Sequence, residues 1–411
     1  MDFSTFLLYI GVYTGLFLSS FYFLNLYFHR KELKNPEWRG EYPLVSVIIP
    51  AYNEEKTIEK TIQSVLELDY PKNKLEIIVV DDGSKDKTAE IAKNVSKRVR
   101  VFSKPNGGKA SALNYGIARA KGEFIAGLDA DSFVTPSALK KMLGYFNDKE
   151  VMCVTPALNV YNPKTFLQKL QHAEYLFGIF LRKIFSLSDA VHVTPGPFSI
   201  FRKEFFEKYG GYEEGNLTED FEIALRLQSY HYKIRNSVDA VVYTVAPARF
   251  MPLLRQRRRW YVGQAQNLKK YWFLFSKKYG DLGLIILPAA VLSVFFSIII
   301  IGYSLYKIFI TTKNMAIGFS KVGFDIRPYL RPGKIELLSF FSWNIRTIFL
   351  ILSLIITISY FVLAKWFSRD KRGIKIGFLL FSTVYLFFHS FWWVISFIYL
   401  IMKGKTTWGK K

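Results

Sequence analysis

Four long apolar runs, at residues 3–28, 282–310, 343–364 and 374–402, limit what this chain can fold into more than any other feature. Each is near or above the roughly 20 residues that cross a bilayer as a helix. The stretch from roughly 38 to 265 has instead the mixed composition of a globular α/β domain. The expected organisation is an N-terminal transmembrane anchor and linker (1–37) and a soluble-type domain (38–265). An interfacial helix (266–281) and a C-terminal region of about three spans with a basic tail (282–411) follow. The first apolar run is too long for a cleaved signal peptide, and its flanking charges follow rather than precede it, so a retained anchor is expected.

The formal net charge of +23 raises the question of a nucleic-acid partner. The basic residues form no recognisable nucleic-acid module. They concentrate beside apolar runs, as in His29–Arg30–Lys31 and Lys365 through Lys375, where Lys and Arg favour anionic headgroups and set topology. The expectation is a bilayer and no nucleic acid. The single cysteine, Cys153, excludes an internal disulfide framework and a cysteine-based zinc site. It reads as a small buried hydrophobe.

Within the globular part, short apolar runs alternate with helical periodicity. Val45–Ile49, Leu75–Val80, Val99–Phe102 and Phe124–Leu128 read as strands. Glu54–Leu68, Lys85–Lys97 and Lys109–Lys121 read as helices, and another opens near Pro136. That alternation predicts a Rossmann-like, mostly parallel sheet with right-handed crossovers. Ligands in such sheets sit beyond the carboxyl ends of the strands. The polar clusters at 50–55, 81–86 and 129–131 fall there. Two later stretches, 165–187 and 265–280, mix aromatics with lysine or arginine and read as amphipathic helices on a membrane surface.

Asp129 and Asp131 follow a strand one residue apart, so both carboxylates face one cleft and can share a hard divalent cation bridging a diphosphate. Asp81-Asp82-Gly83-Ser84 follows a strand in the same way. A carboxylate there can accept from a ribose or a base edge, although Asp-Gly is also ordinary turn chemistry. Lys109, after Gly107-Gly108 at a helix start, can meet phosphate with its charge and with exposed backbone N–H groups. The Walker spacing is absent. Thr218 reads as the N-cap of a helix, and Asp220 as a base able to take the proton of an attacking hydroxyl. In Gln256-Arg257-Arg258-Arg259-Trp260, Arg can stabilise a diphosphate and an indole can stack on a sugar.

Taken in order, Pro50-Ala51-Tyr52-Asn53-Glu54-Glu55, Asp81-Asp82-Gly83-Ser84, Gly107-Gly108-Lys109, Asp129-Ala130-Asp131, Thr194-Pro195-Gly196 with Arg202, Thr218-Glu219-Asp220 and Gln256-x-x-Arg259-Trp260 resemble the processive branch of glycosyltransferase family 2. That branch includes cellulose, chitin-oligosaccharide, hyaluronan and poly-N-acetylglucosamine synthases. The resemblance covers roughly residues 43–265. It implies a GT-A fold and an inverting, single-displacement transfer from a UDP-sugar, UDP-N-acetylglucosamine or UDP-glucose, to a glycan or lipid acceptor. Ala51, Tyr52, Glu54, Asp81 and Asp82 would surround the nucleoside, and Lys109 would approach the phosphates. Asp129 and Asp131 would serve donor and metal, Mg²⁺ or Mn²⁺. Asp220 would be the general base. Gln256, Arg259, Trp260 and Glu219 would hold the diphosphate and acceptor end, with Gly196 in a loop near the acceptor terminus.

The resemblance places the enzyme in the plasma membrane, multi-pass, with a cytoplasmic catalytic domain, and allows an accessory subunit. The tail Thr406-Thr407-Trp408-Gly409-Lys410 is similar to a loop that some relatives fold over the nucleotide, which requires a cytosolic tail. Four spans would put the tail outside, so either one apolar run is re-entrant or interfacial, or the tail is external. The alternatives to a processive synthase are a non-processive transferase making a glycolipid and a channel or scaffold subunit with a dead domain. Retention of Asp129, Asp131, Asp220 and Arg259 argues against the last.

Overall fold

Strands buried on both faces build the centre of the molecule. The computed structural model describes residues 3–321, 345–370, 372–373 and 375–402. The tail string 406–410 and residues 322–344 lie outside the described residues. Strands β1 (Val45–Ala51), β2 (Leu75–Asp81), β3 (Val99–Ser103) and β4 (Phe124–Gly127) are parallel, joined by helices α2 (Ile58–Leu66), α3 (Thr88–Val95) and α4 (Lys109–Ile117). Successive side chains on a strand face opposite sides. Val45, Val47 and Ile49 accordingly pack with Ile58, Ile62 and Val65 of α2, while Ile48 packs with Ala112, Leu113 and Ile117 of α4. Each buried aliphatic side chain contributes about 1.5–3 kcal/mol before entropy is charged against it.

Beyond β4 the sheet becomes mixed. Its order is β3-β2-β1-β4-β7-β6-β8-β5, with β5 (Ser132–Val134), β6 (Val151–Val160), β7 (Ile200–Arg202) and β8 (Lys233–Thr244) completing it. β7 runs antiparallel to β4 and β6, β8 is parallel to β6, and β5 is antiparallel to β8. This GT-A-like mixed sheet differs from a purely Rossmann-like arrangement because β7 returns at the centre, immediately after the Thr194–Gly196 segment. Cys153 is fully buried on β6, as expected.

Residues 165–187 form α6 (Phe166–Leu187), opened by a capping box between Thr165 and Gln168. α6 is not laid bare on a surface. Leu176, Ile179, Phe180 and Ile184 are buried between Ala157 and Val238 of the sheet and Ala364 and Phe367 of an apolar helix. Its Lys183 is buried too, donating to the Glu32 carbonyl at 3.0 Å, and desolvation pulls its pKa down to about 8.

Residues 266–281 do not form one helix, contrary to the sequence reading. α9 (Phe250–Lys270), which carries the arginine string, runs on to Lys270, after α7 (Lys203–Tyr209) and α8 (Glu219–Ser229). Short 3₁₀ turns follow at Trp272–Leu274 and Lys277–Tyr279. The chain then doubles back so tightly that a Cβ on Gly283 would stand 2.3 Å from the Ser276 carbonyl oxygen. Trp272 stays 72% exposed while Tyr271 and Leu274 pack on Phe221 and Leu225.

Among the described residues, three helices are long and apolar enough to cross a membrane: α1 (Phe3–Phe28), residues 282–321 ending in α10 (Leu287–Lys321), and α11 (Ile345–Ser368). The last apolar run is broken. α12 (Lys375–Thr383) and α13 (Tyr385–Ile401) meet at 54°. α12 lies so close to α6 that a Cβ on Gly377 would approach the Lys169 carbonyl oxygen to 2.8 Å. α13 runs along α9, with Trp393 stacked on Tyr261 at 4.5 Å. The linker between α11 and α12 is pinned to the sheet domain by Arg369–Asp239 at 2.7 Å and by Arg372 donating to the Val160 carbonyl at 2.8 Å.

Candidate active site

Register brings the polar strand ends together. Ala51 pairs with Asp81, and Ile48 with Gly127, so the segments after β1, β2 and β4 emerge side by side. Asn53, held at φ 55°, accepts from Lys85 N–H at 2.8 Å and donates its own N–H to Ser84 Oγ at 3.0 Å. Glu54 N–H donates to Thr88 Oγ1 at 2.8 Å, and its carboxylate accepts from Thr57 Oγ1 at 2.9 Å. Ala51, Tyr52, Glu54 and Asp81 thus stand close together at the carboxyl ends of β1 and β2, with Ala51 itself fully buried.

Asp82 does something else. It is fully buried and accepts from Gly108 N–H at 2.8 Å, Gly107 N–H at 3.0 Å and Lys104 Nζ at 2.8 Å. The glycine amides that the sequence offered to phosphate are therefore already taken by a carboxylate. Gly108 sits at φ 89°, a conformation open to glycine at little cost.

The deeper part of the cleft is a charge cluster. Lys109, the first residue of α4, lies 2.6 Å from Asp129 Oδ1 and 3.0 Å from Glu219 Oε1. Burial alone would lower its pKa, but Asp129, Glu219 and Asp220 more than reverse that and hold it protonated. Gly196 closes this spot: a Cβ there would stand 2.4 Å from Lys109 Nζ. Thr194 donates its N–H and its hydroxyl to the Asp220 carbonyl, at 3.2 and 2.8 Å, tying the loop to the start of α8.

Thr218 occupies the N-cap position of α8, yet its hydroxyl caps nothing. It accepts from Asn267 Nδ2 at 3.0 Å, fixing α8 to α9. The two acids that follow diverge. Desolvation raises Glu219, but Lys109 and Arg259 outweigh it and the net shift is downward. Desolvation and the Glu219 charge push Asp220 up to about 6 against the opposing pull of Lys109 and Arg259. Arg259 also donates to the Leu217 carbonyl at 2.6 Å.

The structure therefore gathers Lys109, Asp129, Gly196, Glu219, Asp220 and Arg259, with Asp131 on the strand end beside Asp129 and Gln256 and Trp260 further along α9. Arg257, not singled out by sequence, is buried and gripped by both oxygens of Glu174, at 2.8 and 2.7 Å. Tyr385 donates to the same carboxylate at 3.0 Å, and the Arg257 guanidinium lies 4.4 Å from the Trp260 ring. Glu174 is the only acid in the stretch 165–187, which is the sequence signal that could have found it. Tyr212, lining the cleft beside Lys109, gave no such signal.

Asp129, one of the two acids expected to hold a metal with Asp131, is paired here with the Lys109 ammonium. Among the described residues no third carboxylate, imidazole or thiolate joins them in a ready-made cage.

The sequence pattern defining Glycosyl transferase family 2 matches residues 46–210. The poly-beta-1,6-N-acetyl-D-glucosamine synthase of Staphylococcus aureus (strain COL) is 32% identical over 287 residues, covering 67% of this chain and 69% of that protein. The chain belongs to glycosyltransferase family 2. Other relatives of this family 2 enzyme include the probable glycosyltransferase YdaM of Bacillus subtilis (strain 168), 34% identical over 259 residues and 59% of this chain. A second poly-beta-1,6-N-acetyl-D-glucosamine synthase, of Staphylococcus epidermidis, is 32% identical over 241 residues and 57% of this chain. The chain spans 61% and 58% of the length of those two. The fold is shared with the mannosyltransferase PcManGT from Pyrobaculum calidifontis, solved in complex with GDP-Man and Mn²⁺. The TM-score is 0.54 at 20% identity, over 89% of this chain and 99% of that one.

Proposed function

We propose that this family 2 enzyme is an inverting transferase that moves a sugar from UDP-N-acetylglucosamine or UDP-glucose to the hydroxyl end of a growing β-linked glycan, at the cytoplasmic face of the plasma membrane. The observation that carries this reading is Asp220: a half-buried carboxylate whose pKa is pushed up to about 6, beside a lysine, an arginine and a second acid. Such a group is ionised near neutrality yet basic enough to take a proton.

In the transfer, the acceptor hydroxyl gives its proton to Asp220 as its oxygen bonds to the anomeric carbon. The bond from that carbon to the diphosphate breaks, and its electron pair leaves with UDP. Attack opposite the leaving group inverts the anomeric configuration. Arg259 and Gln256 receive the diphosphate, and Trp260 offers a face to the acceptor sugar. Ala51, Tyr52, Glu54 and Asp81 hold the nucleoside, while Asp82 keeps the Gly107–Lys109 turn in place. A Mg²⁺ or Mn²⁺ held by Asp129 and Asp131 would neutralise the leaving diphosphate.

The two poly-N-acetylglucosamine synthases among the relatives support the donor and the polymer. The test is product size with each UDP-sugar and either metal, using purified protein in lipid, alongside Asp220→Asn. Long products that the variant abolishes are expected. Addition of one sugar to lipid would replace polymerisation with glycolipid synthesis, and no turnover of any donor would overturn the transferase reading.

A further inference from the structure

A cavity of about 820 Å³ lies between α1, α10 and α11, with its floor on α6 and on His192. Its size falls within the roughly 300–1,000 Å³ typical of small-molecule sites. Nothing charged lines it. Most of its aliphatic hydroxyls are engaged within their own helices: Ser19 donates to the Gly15 carbonyl, Ser293 to Ala290, Ser304 to Ile300 and Thr357 to Ser353, and Tyr360 donates to Ser19. A glycan entering here would find these donors in use, whereas a hydrocarbon chain needs none of them.

The floor leads straight to the chemistry. His192 faces this cavity, and Thr194–Gly196, two residues on, line the catalytic cleft with Asp220. Arg182 stands at the join, on α6 between Leu181 and Phe185, which both line the cavity. Among the described residues its half-buried guanidinium has no hydrogen bond and no ion pair. The groups whose charge reaches it are Asp220, Tyr175 and His192. An arginine beside an apolar cavity, within electrostatic reach of Asp220, can receive one anionic group carried on an apolar chain.

We infer that synthesis starts on an anionic lipid, whose chain fills the α1–α10–α11 cavity and whose phosphate rests on Arg182 so that the acceptor hydroxyl meets Asp220. This rests on the transferase reading of the cleft and names its first acceptor class. Gly11 and Gly15 of α1 line the cavity, and a Cβ on either meets no atom within 4 Å, so a larger side chain there occupies the cavity without displacing the helix.

The experiment is native mass spectrometry of the full chain in detergent with farnesyl phosphate, farnesol, inorganic phosphate or a chito-oligosaccharide. Farnesyl phosphate is expected to bind one to one and about tenfold more tightly than farnesol, with inorganic phosphate not retained. Arg182→Gln should erase the preference for the phosphate, and Gly15→Phe or Gly11→Leu should block both lipids. Equal binding of farnesyl phosphate and farnesol by the unmodified protein overturns the anionic site, and lipid binding indifferent to both cavity-filling variants overturns the cavity. An oligosaccharide that binds and is blocked by Gly15→Phe, with no binding of farnesyl phosphate, assigns the cavity to a glycan. Hydrolysis of UDP-sugars by the same preparations separates the two readings, because lipid binding without donor turnover leaves the cavity site standing while the transferase reading falls.

Discussion

Glu219 and Asp220 adjoin in sequence and share the field of Lys109, yet burial and distance drive their proton affinities apart. Glu219 lies 3.0 Å from the lysine, whereas the Asp220 carboxylate accepts from its neighbour Phe221 N–H at 2.9 Å. Only the deprotonated form of Asp220 accepts a proton, so kcat/KM is expected to rise with pH through about 6 and level off above it. A pH–rate profile checks this, and Asp220→Asn should lower turnover by about 10²–10⁴-fold at every pH. Lys109 holds the Asp220 pKa down, so Lys109→Met should move the acid limb to higher pH, read from the same profile. The position of Asp220 at the start of a helix was legible in the Thr218-Glu219-Asp220 triplet. The task of Asp82 was not, because a carboxylate that binds a ribose and one that binds backbone amides look identical in a string of letters.

Helix α9 shows what a sequence conceals at the level of elements. Its three consecutive arginines are turned about 100° from one another by the helix, and each meets a different neighbour. Arg257 meets Glu174 on α6, Arg258 lies over the Tyr399 ring of α13 at 4.3 Å, and Arg259 meets the Leu217 carbonyl before α8. One-dimensional spacing identifies the string but not which arginine is structural. Removing one member of a buried ion pair strands the other charge, at about 3–5 kcal/mol. Glu174→Ala should therefore lower unfolding stability by that amount, measured by denaturant titration in detergent, and Arg257→Met in the same chain should recover part of it. The first four strands were read within two residues at each end, since buried parallel strands are continuous apolar runs. The expected helix over 266–281 failed because its aromatics divide: Tyr271 and Leu274 turn into the core while Trp272 remains outside.

At the level of the whole molecule, the ends of α1 and α11 both fasten to the sheet domain, through Asn25 with Ser188 and through Arg369 with Asp239. α12 and α13 pack back onto α6 and α9. The single, fully buried Cys153 makes the chain convenient for labelling. A cysteine at Gly373 should react with an impermeant maleimide only from the cytoplasmic side, and one at the exposed Asn314 only from the opposite side; labelling of both from one side would refute three spans. The broken pair has one more consequence. Trp392 and Trp393 of α13 wedge between Leu253 and Tyr261 of α9 and Val294 and Ile298 of α10. A tilt of α10, which is how a long span adapts to a thinner bilayer, is transmitted by that wedge to the helix bearing Arg259 and Trp260. In vesicles of graded acyl length, kcat should follow membrane thickness while KM for the UDP-sugar stays level, making the enzyme a gauge of the membrane in which it sits.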